Sequence, residues 1–156
     1  MAIDIVRRAE ERDLPRVGEL AGQLVRMHHQ ADPGRFVLID NVEQGYARWF
    51  ASELQRPEAV VLVANRGVEV VGYAYGRLEG RDWNLLLDHH GVVHDIYVDA
   101  KVRRSGAGSR LLRTLVEELE GRGAPRIVLS TMVANDVAQR LFRSCGFRPT
   151  MLEMTR

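Results

Sequence analysis

The chain has 156 residues, 46% of them hydrophobic and 28% charged, with a formal net charge of +1; these values suit one globular domain with its own core and exclude a general nucleic-acid binder, which carries a large basic excess. The single cysteine, Cys145, excludes an internal disulfide framework and points to a reducing compartment. No apolar run approaches the ~18 residues of a membrane span, and residues 1–10 alternate as a strand without an apolar signal core, so a soluble cytoplasmic protein with no membrane partner is expected.

Ile3–Arg8 reads as an opening strand. Asp13 is placed to cap a helix with Pro15 in its first turn, and Leu14, Val17, Leu20, Ala21, Leu24 and Val25 give that helix an apolar face. It should fade around His28-His29-Gln30 and stop before the turn signal Asp32-Pro33-Gly34. Val42–Leu54 is a second helix, carrying Tyr46, Trp49 and Phe50. Trp49, Phe50 and Trp83 read as core or interface. The apolar run Ala59–Ala64 reads as a buried strand, Asn65-Arg66-Gly67 as a turn and Val68–Tyr75 as its hairpin partner. Glu79–His90 is loop or strand extension, with His89 and His90 exposed. Val92–Val98 is a further strand. After a helix that runs to Leu119, Gly121 and Gly123 end the helical pattern and Arg126–Thr131 forms a strand parallel to Val92–Val98, the two joined as a right-handed β-α-β unit. A last helix covers Asp136–Ser144, with Gly146 as its left-handed cap and Phe147 folding back on it. Met151–Met154 is expected to complete the sheet. The fold class is α/β, a mixed, mostly antiparallel sheet flanked by helices.

Function concentrates in the stretch His94–Leu119. The turn Arg103-Arg104-Ser105-Gly106-Ala107-Gly108 opens directly into a helix striped by Leu111, Leu112, Leu115, Val116 and Leu119. Arg103, Arg104, Arg110 and Arg113 crowd the positive end of the helix dipole, and Glu117, Glu118 and Glu120 lie toward its negative end. Each misplaced charge costs about 0.3–1 kcal/mol in an isolated helix. An anion docked on the free N–H groups of the first turn reverses that penalty. The turn fits neither a nucleoside triphosphate loop, because Ser109-Arg110 replaces Lys-Ser/Thr after Gly108, nor a dinucleotide fingerprint, because Leu111 stands at its third small position.

Arg103-x-x-Gly106-x-Gly108, together with Asn135-x-x-Ala138-x-x-Leu141-Phe142-x-x-x-Gly146-Phe147, resembles two signatures of the GNAT superfamily of N-acetyltransferases. The resemblance implies that the two parallel strands splay around acetyl-coenzyme A and that its acetyl group passes directly to an amine. Arg103, Arg104, Ser105, Gly106, Ala107, Gly108 and Ser109 would then hold the pyrophosphate. Ile96, Tyr97 and Val98 would hydrogen-bond the pantetheine arm, one backbone N–H polarising the thioester carbonyl. Asn135 is either a cofactor contact or a simple helix cap, and Phe142 stands where relatives often carry a tyrosine that protonates the departing thiolate. Tyr97, Ser144 or water is left for that task, or the thiolate leaves unaided. His94 is the candidate base, the alternative being a residue merely lining the strand edge; Asp95 would orient a partner, bind a cationic substrate or act through water. His28, His29 and Asp32 lack a complete metal-ligand set and read as a solvated helix end, so no metal is expected. Cys145 reads as a structural thiol. The acceptor, a small-molecule amine or an amino group of a protein or peptide, is not legible, and a homodimer is an expectation of the family resemblance alone. A coenzyme A-binding sensor without catalysis is the competing reading, with Phe142 its one suggestive feature.

Overall fold

The computed structural model describes residue 3 and residues 5–156; residues 1, 2 and 4 of the alternating N-terminal segment lie outside the described residues. The elements are β1 (Ile5–Arg8), α1 (Leu14–Ala31), α2 (Val42–Glu53), β2 (Ala59–Arg66), β3 (Glu69–Glu79), β4 (His90–Val98), α3 (Ala107–Gly121), β5 (Ile127–Leu129) and α4 (Asp136–Ser144). They build one sheet in the order β1-β2-β3-β4-β5. Its first three pairings are antiparallel and β4–β5 is parallel, the mixed α/β arrangement expected.

Both faces of the sheet are covered, which explains why β2 is an unbroken apolar run rather than an alternating one. Val60, Leu62 and Ala64 face α3, while Val61 and Val63 face α1 and α2. Leu111, Leu112, Leu115 and Leu119 of α3 are fully buried, each contributing about 1.5–3 kcal/mol relative to exposure. On the opposite face Val17 and Leu20 of α1 and Phe50 of α2 pack on Tyr73 and Tyr75 of β3.

Several local expectations need correction. Asp13 occupies the cap position of α1 but its backbone is already helical and its side chain makes no cap bond. Its carboxylate instead accepts two bonds from Arg7, at 2.8 and 2.9 Å, and one from the Glu10 N–H at 2.8 Å. Those Arg7 bonds hold the Asp13 carboxyl below the usual carboxylate range, against the opposing effect of burial. The stability this contributes is present above the unfolded-state pKa of an aspartate and is lost as pH falls through the lowered native value. Asp13→Asn should therefore cost about 1.5–3 kcal/mol at pH 7, and the deficit should shrink toward pH 2, as read from urea unfolding at each pH.

The β2–β3 hairpin turns at residues 67–68: β2 runs on to Arg66, which pairs with Glu69, and the register shift opposite Ala64 and Asn65 leaves Val71 of β3 as the extra residue. His90 is buried, not exposed: it heads β4 with Nδ1 2.7 Å from the Asp88 carbonyl. Phe50 is core as expected, whereas Trp83 is exposed and Trp49 is 45% exposed. Gly146 (φ +91) caps α4, and the Phe147 N–H returns to the Phe142 carbonyl at 3.0 Å. Met151–Met154 does not complete the sheet. That segment takes no strand, and Met151, Leu152 and Met154 are exposed. Pro149 removes a ladder donor ahead of it, β5 offers an edge of only three residues, and the tail is tied instead to the α1–α2 loop by the Arg35–Glu153 pair.

Candidate active site

The site is created by one irregularity in β4. Opposite β3, Tyr75 pairs with Asp95 and Gly76 with Val93, so His94 is an extra residue, a β-bulge. A bulge reverses the alternation of the strand beyond it. Val93 lies in the α3-side core, yet Asp95 and Tyr97 lie on the α1–α2 side, with Tyr97 in that core cluster, and Ile96 and Val98 take over the α3 side. The parallel ladder with β5 ends at the same point, at Val93–Leu129. Past it β4 runs on without β5, which is the splay expected of this pair.

Backbone direction in this gap follows from two bonds. Asp99 N–H donates to Val71 of β3 at 2.8 Å, so by alternation Tyr97 and Asp95 also turn their amides toward β3, leaving those of Ile96 and Val98 for the open side. Arg103 Nε accordingly donates to the Val98 carbonyl at 3.3 Å. The gap ends at the start of α3. Arg104 (φ +66) and Gly106 (φ +81) both take left-handed conformations, the kind of turn in which successive N–H groups form an anion-binding concavity. The first backbone bond of α3 joins Arg110 N–H to the Gly106 carbonyl at 3.1 Å, so the Gly108 and Ser109 amides precede the helical ladder. A Cβ on Gly106 would meet nothing within 4 Å; the space over the turn is open. Ser105 Oγ lies 3.4 Å from the Ala107 N–H, and the Arg103 guanidinium sits 5.4 Å from the Tyr97 ring centroid. Of the arginines expected to crowd the turn, Arg110 donates to the Ile3 carbonyl and Arg113 to Ser109 Oγ and the Ser144 carbonyl. The open backbone and the unfilled space fit a pyrophosphate.

On the other face the bulge forms one wall of a cleft of about 340 Å³, lined by Tyr46, Trp49, Tyr75, Arg77, Glu79, His94 and Asp95. Tyr73 donates to Asp95 Oδ2 at 2.9 Å. Burial raises the Asp95 carboxyl above the usual range, partly offset by that bond and by the nearby His94 and His28. Burial likewise raises Tyr73 well above a free phenol, with the Asp95 charge adding to it. His94 stacks on the Tyr75 ring, centroids 5.5 Å apart, and its Nε2 lies 3.7 Å from Glu79 Oε1. Tyr75 in turn donates to Glu53, which is fully buried and also binds Arg77 at 3.2 Å and Arg56 at 3.1 Å. His94 thus stands on a column of Tyr75 over Glu53.

The remaining candidates have structural partners. Asn135 caps α4, its Oδ1 accepting from Ala138 N–H at 3.1 Å. Phe142 is buried, 6.4 Å from Phe147 between ring centroids. The Ser144 hydroxyl donates to the Leu141 carbonyl at 2.6 Å, and Cys145 is a half-buried free thiol. His28 and His29 direct Nδ1 to the carbonyls of Leu24 and Phe36, at 2.9 Å each. Sequence reasoning did not gather Tyr46, Trp49, Tyr75, Arg77, Glu79 and Glu53 into the site. Two signals were present: Tyr73, Tyr75, Arg77 and Glu79 share one face at period two, and Glu53 continues the i, i+4, i+7 stripe of Tyr46 and Phe50 on α2.

The chain is similar to known acetyltransferases in sequence and in fold. The chain is 24% identical over 142 residues to the uncharacterized N-acetyltransferase YhfO of Bacillus subtilis, covering 91% of this chain and 88% of that protein. It is 33% identical over 105 residues to an N-alpha-acetyltransferase of Sulfurisphaera tokodaii, covering 64% of this chain and 63% of the relative. Its fold matches the aminoglycoside N-acetyltransferase AAC(6')-Iy in complex with CoA, with a TM-score of 0.75 at 16% identity over 97% of this chain and 92% of the other. Residues 13–147 match the family described as Acetyltransferase (GNAT), and with that match spanning most of its length, the chain belongs to the GNAT acetyltransferase family.

Proposed function

We propose that this protein is an N-acetyltransferase that moves the acetyl group of acetyl-coenzyme A directly to an amine. The observation that carries this reading is the bulge at His94, which joins the gap between β4 and β5 on one face to the acidic, aromatic cleft on the other. The turn from Arg103 to Ser109 would receive the pyrophosphate. The Ile96 and Val98 backbone would pair with the pantetheine amides, and an N–H there would support the thioester oxygen as it gains charge.

An amine entering as an ammonium must lose its proton before its nitrogen attacks the carbonyl carbon. Asp95 is the assigned base: it lies beside the gap, and burial makes its carboxylate a stronger proton acceptor than a solvated one. His94, exposed on the bulge, passes the proton outward. The new C–N bond forms, the C–S bond breaks, and the nitrogen sheds its second proton; the thiolate takes one from Tyr97 or water, which that second proton replaces, Phe142 having no hydroxyl to give.

Because the Asp95 carboxyl titrates above its ordinary value, kcat/KM should rise with pH through that raised value as the base form appears. Asp95→Asn should remove this acidic limb and lower kcat by roughly 10²–10⁴-fold, whereas His94→Ala should keep the limb with a smaller loss. An unaltered limb in Asp95→Asn would clear that residue of the role. The reading as a whole is tested by mixing purified protein with acetyl-coenzyme A and a panel of amines and peptides: release of free thiol supports it, and tight binding without turnover leaves a coenzyme A sensor.

A further inference from the structure

The cleft identifies the kind of amine, on the reading that the protein is an N-acetyltransferase. Its charge is the first constraint. Among the described residues, Arg77 is the one guanidinium lining it, and three carboxylates already hold it: Glu53 at 3.2 Å, Glu58 at 3.1 Å and Glu79 at 3.5 Å. Its one unpartnered nitrogen, Nε, is buried 3.5 Å from Glu79 Oε1, so an acid group on the acceptor would reach it only past that carboxylate. Glu79 and Asp95 add negative charge at the wall, and a ligand carrying an acid group would meet them unpaired.

Shape and surface supply the second constraint. Tyr46 and Trp49 stand at i and i+3 on α2 and face Tyr75 of β3 across the cleft. Trp49 remains 45% exposed, a large flat surface with one side open. Aromatic faces suit both a planar apolar body and an ammonium group. A volume of about 340 Å³ lies at the low end for small-molecule sites, roughly 300–1,000 Å³, which fits one or two rings and leaves most of an aminosugar oligomer outside.

We infer that the acceptor is a compact primary amine on a flat aromatic body and without an acid group, an arylalkylamine. Its ring lies against Trp49 and Tyr46 and its nitrogen points at Asp95 beside the bulge. The same charges favour turnover: the ammonium is attracted by Glu79 and Asp95, while the acetamide product is neutral and loses that attraction.

Thiol release with acetyl-coenzyme A tests this with matched pairs. Tryptamine against tryptophan isolates the acid group, and tryptamine and 2-phenylethylamine against spermidine, kanamycin, glucosamine 6-phosphate and a short peptide isolate the aromatic body. Expected is a kcat/KM for both arylalkylamines at least about tenfold above every other amine, with tryptophan roughly a hundredfold below tryptamine. Trp49→Ala should raise KM for tryptamine about tenfold with acetyl-coenzyme A affinity unchanged, which separates lost stacking from a misfolded protein. Equal use of tryptophan, or preference for glucosamine 6-phosphate, would overturn the exclusion of acids. Preference for spermidine, kanamycin or the peptide would overturn the aromatic class while leaving the transferase reading standing. Acetyl-coenzyme A binding with no amine turned over would overturn both.

Discussion

Glu53→Ala should destabilise the protein by about 3–5 kcal/mol, a large share of the roughly 5–15 kcal/mol that holds an ordinary domain together. The side chain is fully buried, and its carboxylate is shared by the Tyr75 hydroxyl, Arg77 and Arg56. Alanine leaves a buried phenol without its acceptor and removes the carboxylate that sits nearest the core from two guanidiniums. Arg77 keeps Glu58 and Glu79, and Arg56 keeps a 3.7 Å contact to Glu58, so the loss should fall near the lower bound. Glu53→Gln should cost less, because an amide oxygen still accepts from Tyr75. Urea unfolding of the three proteins checks the order: the midpoint should fall for Gln and further for Ala, with an unchanged slope. A shift below about 1 kcal/mol for alanine would show that water reaches the network and satisfies it. Glu53 touches no reacting atom in the proposed chemistry. It is a positioning residue, since it holds the tyrosine on which His94 stacks.

Gly106→Val should leave most of the fold and remove the cofactor. The glycine sits at φ +81, a conformation that a β-branched side chain adopts at a cost of about 1–3 kcal/mol. The turn relieves that strain by moving, and moving it disperses the amides at the start of α3. The open space within 4 Å of the glycine would also be filled on the side where a pyrophosphate is expected. Titration calorimetry should show acetyl-coenzyme A affinity lowered roughly a hundredfold, about 2.7 kcal/mol, while Leu111 and Leu112 keep α3 docked and far-ultraviolet dichroism unchanged. Undiminished affinity would remove this turn from the cofactor site.

What could be read from the chain was local. The α3 stripe, the glycine turn ahead of it and the Gly146 cap each depend on neighbours within a few residues, and each stands where expected. Residues whose meaning depends on distant partners were misjudged. His90 looks like the second half of an exposed histidine pair, but it heads β4 and is buried. Asp13 has the chemistry of a helix cap, yet the Arg7 guanidinium from β1 claims it. The bulge left no mark in the composition of Val92–Val98. One extra residue in a strand changes the face of everything after it without changing the residue types, so His94 and Asp95 were identifiable as candidates while the cleft they share with α2 and β3 was not. Met151–Met154 has strand-like composition, but the short β5 gives it little edge to join.

The gap beyond Val93 has a consequence for how this chain meets other chains. An interior strand that loses one neighbour midway displays the same unpaired backbone as the outer strand of a sheet, and such an edge invites pairing with another chain. Here the opening is protected by features that discourage it: the bulge at His94 breaks the flat ladder, and the Arg103 guanidinium covers the Val98 carbonyl. A foreign strand therefore meets a kink at one end of the slot and a charge at the other, while a thin, flexible chain carrying only two amides can still slide between them.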